Sequence, residues 1–99
     1  MASTELVLTG GTPVTFQVPV PTGRVVVTIT ANPALVVVTA DGSFPTVPSA
    51  GVTNTTGATV IAGVLGQQGI VQPPLFGDHM AAPQLNLAST GTPTVLISW

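Results

Sequence analysis

Side chains able to do acid–base or metal chemistry are scarce in this 99-residue chain. There are three carboxylates, Glu5, Asp41 and Asp78, one imidazole, His79, and one guanidinium, Arg24. Asp78-His79 is the sole acid–imidazole pair. Triad hydrolysis needs a nucleophile, an imidazole base, an acid that orients the base, and an oxyanion hole, all converging in space. On extended backbone, adjacent side chains point to opposite faces, so Asp78 cannot orient His79 there. The pair reads instead as a polar loop after Gly77. Glu5, Asp41 and Asp78 could meet around a cation, but calcium takes clustered oxygen ligands from a dedicated loop. These three acids are isolated and lack that spacing. A glycosidase would need two carboxylates flanking a sugar, and no cleft-forming aromatics accompany them. No catalytic, metal or cofactor-binding residue is therefore assigned, and the expectation is a chain that is not an enzyme and carries no cofactor.

The composition that leaves out chemistry also excludes several classes of partner. Charged residues make up 4% of the chain and hydrophobic ones 44%, with a formal net charge of −2. A soluble domain usually carries about 25% charged residues. Nucleic-acid binding relies on Lys and Arg to neutralise phosphates, and one Arg cannot form a basic stripe. The same shortage argues against attraction to an anionic membrane surface. The absence of Cys removes disulfides, zinc ribbons, Fe–S clusters and thiol catalysis together. Mean hydropathy is +0.64, which raises the question of a membrane span. A spanning helix needs about 20 continuous apolar residues. Apolar runs such as Ala34–Val38 and Val60–Ala62 are far shorter, and Pro and Gly interrupt the uncharged stretch 42–77. The N-terminus has no basic or apolar signal-peptide region. Low net charge with abundant Val, Ile and Leu opposes intrinsic disorder.

The elements that must position these residues are strands. Val and Thr dominate, and both favour pleated structure. In 14–20, Val14, Phe16, Val18 and Val20 share one face; Pro19 confines that strand to an edge or a bulge. Pro21-Thr22-Gly23 is a turn with Gly23 available for positive φ. In 24–31, Val25, Val27 and Ile29 oppose Val26, Thr28 and Thr30. These two segments read as one hairpin, which Asn32-Pro33 ends. Strand 34–40 is apolar on both faces and should be central. Asp41-Gly42 is a turn and 43–57 a loop anchored by Phe44 and Val47. Segment 58–65 is a short strand whose Gly63 implies a bulge or close packing. Gly66-Gln67-Gln68-Gly69 is a turn, 70–72 a stub, and 84–87 and 94–99 close the chain as strands.

An internal echo links the two ends. The run from Leu6 to Phe16 and the run from Leu85 to Val95 both read Leu-x-Leu, a Gly-containing loop, then Thr-Pro opening a strand. They are expected to be two related hairpins. About seven short, mostly antiparallel strands in about 100 residues predict one all-β domain over 1–99, a small sandwich or barrel.

Further motifs have ordinary readings. Asn54-Thr55-Thr56 is a formal glycosylation acceptor in a Thr-rich chain. The Gly-rich apolar stretch 57–71 has some character of a membrane-inserting segment, but reads better as a strand plus a turn. Thr-x-Thr at Thr28/Thr30, Thr53/Thr55, Thr90/Thr92 and Thr92/Thr94 lacks the fixed repeat of an ice-binding array. Trp99 should share a face with Val95 and Ile97, plugging the core end or anchoring an interface.

With no chemical site, function falls to surfaces. Interface cores are depleted in charge, so a neutral surface fits a subunit covered by other protein. In length, Thr/Val/Gly/Pro bias, lack of Cys and Lys, and all-β pattern, the chain resembles small structural proteins of tailed-bacteriophage virions, most of all capsid decoration (cement) proteins. The resemblance is one of whole-chain character and rests on no motif. It implies a non-enzymatic subunit that binds and stabilises a capsid lattice, with itself (a homo-oligomer such as a trimer) and a major capsid or other virion protein as partners. Neither nucleic acid nor membrane is expected as a partner. It also implies a location in the virion, assembled in the host cytoplasm. Phe44, Leu75, Phe76 and Trp99 are the interface candidates. The alternatives are another virion part (tail tube, tail fibre or head–tail joining domain) or a carbohydrate-binding adhesin sandwich.

Overall fold

A computed structural model of the chain describes residues 2–40, 59–72 and 82–99. These form eight strands and no helix: β1 Ser3–Val7, β2 Val14–Gln17, β3 Val25–Ala31, β4 Val36–Thr39, β5 Thr59–Ile61, β6 Gln68–Val71, β7 Gln84–Ser89 and β8 Thr94–Ser98. All pairings among them are antiparallel. Two four-stranded sheets result, a first sheet ordered β1-β8-β3-β6 and a second ordered β2-β7-β4-β5. The architecture is a sandwich and not a closed barrel.

Alternation builds the core, as period-2 patterning requires. The first sheet contributes Val25, Val27, Ile29, Val95, Ile97 and Val71, and the second Val36, Val38, Ile61, Leu85 and Leu87. Leu8 and Val18 complete it from the ends of β1 and β2. The expected central strand is confirmed: β4 lies between β5 and β7 and is buried along its whole length. The structure adds an eighth strand, because the stub at 70–72 belongs to a full edge strand, β6, that pairs with β3.

The expected hairpins are not formed. β2 pairs with β7 in the second sheet while β3 pairs with β6 and β8 in the first. The stretch between them, which carries Pro19 and Pro21, crosses from one sheet to the other. Neither proline can donate a ladder hydrogen bond, so the chain leaves the sheet there instead of turning back along it. Gly23 does not take positive φ; among the described residues Asn32 (φ 49°), Gly11 (80°) and Gly66 (84°) do.

The echoing end segments are likewise crossings between sheets. β1 and β2 lie in different sheets, as do β7 and β8. The two segments hydrogen-bond to each other, β1 on β8 and β2 on β7. Leu6 lies opposite Val95 and Phe16 opposite Leu85, so two related corners stack antiparallel. Their loops dock through backbone: the Leu8 N–H donates to the Pro93 carbonyl (3.0 Å) and the Gly11 N–H to the Ser89 carbonyl (3.1 Å).

Gly63 confirms the expected close packing. A Cβ there would lie 2.8 Å from backbone atoms of Ala34 and Leu35. The turn itself is Val64-Leu65-Gly66-Gln67, closed by the Gln67 N–H on the Val64 carbonyl at 3.0 Å. Gly66 takes its third position with positive φ, as a type II turn requires. It is tied to β3 by the Gly66 N–H on the Ile29 carbonyl, 2.8 Å.

Candidate functional site

The two sheets differ on their outer faces. On the second sheet, Val37, Ala88, Thr39 and Asn86 point away from the core and are nevertheless buried. Thr15 on the edge strand β2 donates its hydroxyl to Asn86 Oδ1 at 2.7 Å. On the first sheet the outward residues are exposed on the edge strands and half-buried on β3 and β8. Its registers place Ser3, Ser98, Val26 and Ile70 in one row across the four strands. Glu5, Leu96, Thr28 and Gln68 form the next row. Ile70 is 50% exposed, and Val7, one row beyond Glu5 on β1, is 62% exposed.

β3 bears a bulge that shapes this face. Its register with β8 shifts between Ile29 and Ala31, leaving Thr30 as the extra residue. A bulge leaves that residue out of the ladder, and here the Thr30 hydroxyl donates to the Thr94 carbonyl (3.2 Å). The threonines of Thr28/Thr30 thus serve strand and bulge geometry.

At one end of the face lies a depression of about 280 Å³ lined by Thr22, Arg24, Val26, Ser98 and Trp99. The turn before β3 fixes its rim. The Thr22 hydroxyl donates to the Arg24 carbonyl (3.0 Å) and accepts from the Arg24 N–H (3.3 Å). Arg24 is exposed and forms no ion pair among the described residues. Val25 points into the core, so Arg24 and Val26 fall on the outer side by alternation.

Of the expected interface residues, Trp99 alone is described; Phe44, Leu75 and Phe76 lie outside the described residues, as do Asp41, Asp78, His79 and Asn54. Trp99 plugs the core end, one of the two roles the sequence allowed. Its ring packs against the core, 5.9 Å from the Phe16 ring and tilted by 44°. It also lines the depression. Its backbone extends the β1–β8 ladder, exchanging hydrogen bonds with Ala2 at 3.0 and 3.1 Å.

The sequence marks Val26, Thr28 and Thr30 as one face of β3. What it does not mark is that Glu5, Leu96 and Ile70 join them, because strand order is a tertiary property. The Val64–Leu65 tip of the β5–β6 turn, 58% and 61% exposed, is a second uncharged projection. No helix among the described residues is long and apolar enough to cross a membrane. No family model matches the chain, and neither the curated proteins nor the solved structures contain a match.

Proposed function

We propose that this protein is a non-enzymatic structural subunit that works by covering and being covered by other protein. In its specific form, following the whole-chain resemblance, it is a capsid decoration subunit of a tailed phage that binds and reinforces the shell lattice. The observation that carries the reading is the open outer face of the first sheet. It presents Ser3, Val7, Val26, Thr28, Ile70, Leu96 and Ser98 to solvent or partner with Glu5 as the one charge within the rows. A sheet face of neutral and β-branched side chains has the composition of an interface core, where charge is depleted. It offers no cleft with converging acids or bases. The exposed apolar Val64 and Leu65 add a second neutral contact point.

The test is co-sedimentation of the purified protein with candidate phage shells over a range of ionic strength. Stoichiometric binding that persists from low salt to about 0.5 M is expected, since contacts made by neutral groups are little screened. Failure to bind any shell, together with binding of a glycan by the free protein, refutes the reading. Release by moderate salt refutes the neutral-contact argument.

A further inference from the structure

The first sheet carries two charges on its outer side, and neither forms an ion pair among the described residues. Glu5 sits at the centre of edge strand β1, exposed. Arg24 precedes β3, exposed, beside the depression. Their separation follows from the register. β1 and β3 both run antiparallel to β8, so they are parallel to each other, and Ser3 and Val26 share a row through Ser98. Glu5 lies two residues beyond that row and Arg24 two residues before it. With strands about 4.8 Å apart and about 3.3 Å per residue, the two lie roughly 16 Å apart, far outside ion-pair reach.

We infer that the outer face of the first sheet docks on the same face of a second copy through a two-fold axis that sets each Arg24 against the other copy's Glu5. The two charges are opposite in sign and occupy one face, so the face is complementary to itself, as an isologous contact demands. The axis that exchanges them must cross the line joining them at its midpoint, which the register puts over Ser98 on β8. A small side chain at the axis lets the sheets approach. The same construction crosses the strands of the two copies at about 70°, nearer the orthogonal than the aligned class of sheet packing. It lays Val26 of one copy near Leu96 of the other, placing apolar side chains inside the two flanking ion pairs. The depression beside Arg24 gives the incoming carboxylate side chain a seat. Complementary charge of this kind fixes register more than it adds affinity.

The face measures only about 300 Å² in projection from strand and residue spacings. That is well short of the roughly 800 Å² per partner of a stable complex, so the association is weak. The experiment is sedimentation equilibrium of the intact protein over about 1–300 µM in the absence of any shell, with wild type, Arg24→Glu, Glu5→Arg and the double charge swap. The wild type is expected to show monomer–dimer exchange. Each single swap replaces two attractions by two repulsions and is expected to weaken it by about tenfold to thirtyfold. The double swap restores the dimer, which only direct Arg24–Glu5 pairing between copies explains. Both positions are exposed, and circular dichroism verifies that the variants keep the fold. A wild type that stays monomeric at 300 µM overturns the inference, and so does a dimer indifferent to the single swaps or a double swap that does not recover. The assay contains no shell and reads the self-contact alone: a dimer competes with a shell for this face, whereas failure of the dimer leaves the face free for one, so the two readings fail separately.

Discussion

Gly63→Ala isolates one feature of the sandwich, the close approach of the β5–β6 connection to the β3–β4 connection. The new Cβ would lie 2.8 Å from the carbonyl carbon of Ala34 and the nitrogen of Leu35, and 3.0 Å from Ala34 Cα. Ordinary contact begins near 3.4 Å, so the two backbones must separate by about 0.6 Å. The neighbour cannot yield by rotating a side chain, because Ala34 and Leu35 bridge two strands held in different sheets. Overpacking costs about 1–3 kcal/mol, and an unyielding partner places this case at about 2–3. Replacing Gly by Ala returns about 0.4–1 kcal/mol through the unfolded chain. The net is a loss of about 1–2.5 kcal/mol, which lowers the Tm by roughly 5–20 °C in a domain of this size. Gly66 is the internal control. A Cβ there meets nothing within 4 Å, but the residue has a φ of +84°. Alanine is held there only against about 1–2 kcal/mol of backbone strain, offset by the same gain in the unfolded chain, for a net loss of about 0.5–1 kcal/mol. Asparagine separates the two mechanisms. It tolerates the left-handed region, so Gly66→Asn recovers stability relative to Gly66→Ala, whereas Gly63→Asn is worse than Gly63→Ala. Urea unfolding followed by circular dichroism gives all four values. If Gly63→Ala is as stable as the wild type, or if asparagine ranks the same way at both sites, the close approach is not what makes glycine necessary there.

Leu87 is fully buried and lies between Val14 and Val38 across the second sheet. Leu87→Ala is expected to cost about 2–5 kcal/mol, a large share of the 5–15 kcal/mol typical of a domain. A midpoint shift in urea below the equivalent of about 1 kcal/mol contradicts its central place. Trp99 is partly exposed and touches Phe16, so Trp99→Ala is expected to cost about 2–3 kcal/mol, less than a full core truncation. Trp99→Phe keeps an aromatic partner for Phe16 and is expected to lose under about 1.5 kcal/mol. Equal effects of the two variants in thermal melts would show that the ring pair contributes nothing.

What the sequence made legible is what local alternation determines. Val25, Val27 and Ile29 go inside because β-branched side chains at period 2 define one face, and β3 follows that pattern. The centrality of 34–40 follows from Val on both faces, and β4 has neighbours on both sides. The hairpins failed for a physical reason. Turn residues such as Pro21, Gly10 and Gly91 report that the chain changes direction. They do not report whether it stays in its sheet or crosses to the other. That choice depends on which partner satisfies the next strand's backbone, and β2 finds β7 some 70 residues later, as the Thr15–Asn86 bond shows. The outer face of the first sheet was legible only in fragments for the same reason. Val26 and Thr28 were on one face of one strand, but Leu96, Glu5 and Ile70 joined them through non-local pairing. The acid–imidazole pair Asp78-His79 and the candidates Phe44, Leu75 and Phe76 lie outside the described residues.

The scarcity of charge changes what each charge means. In a domain with about 25% charged residues, an exposed Glu and an exposed Arg on one face carry no information, since many such pairs arise by chance. Here the chain has three acids and a single Arg. A neutral sheet face supplies contact area but no register, because rows of Val, Thr and Ser can slide over a partner with little change in energy. Two opposite charges about 16 Å apart on that face do set a register, since only one rotation and offset of a second copy satisfies both. The neutral residues and the two charges are therefore complementary parts of one surface. Removing a charge loosens register before it loosens contact. That is why the double swap of Arg24 and Glu5, which preserves area, apolar content and net charge while inverting only the pairing, is the variant that separates a specific contact from mere adhesion of an uncharged face.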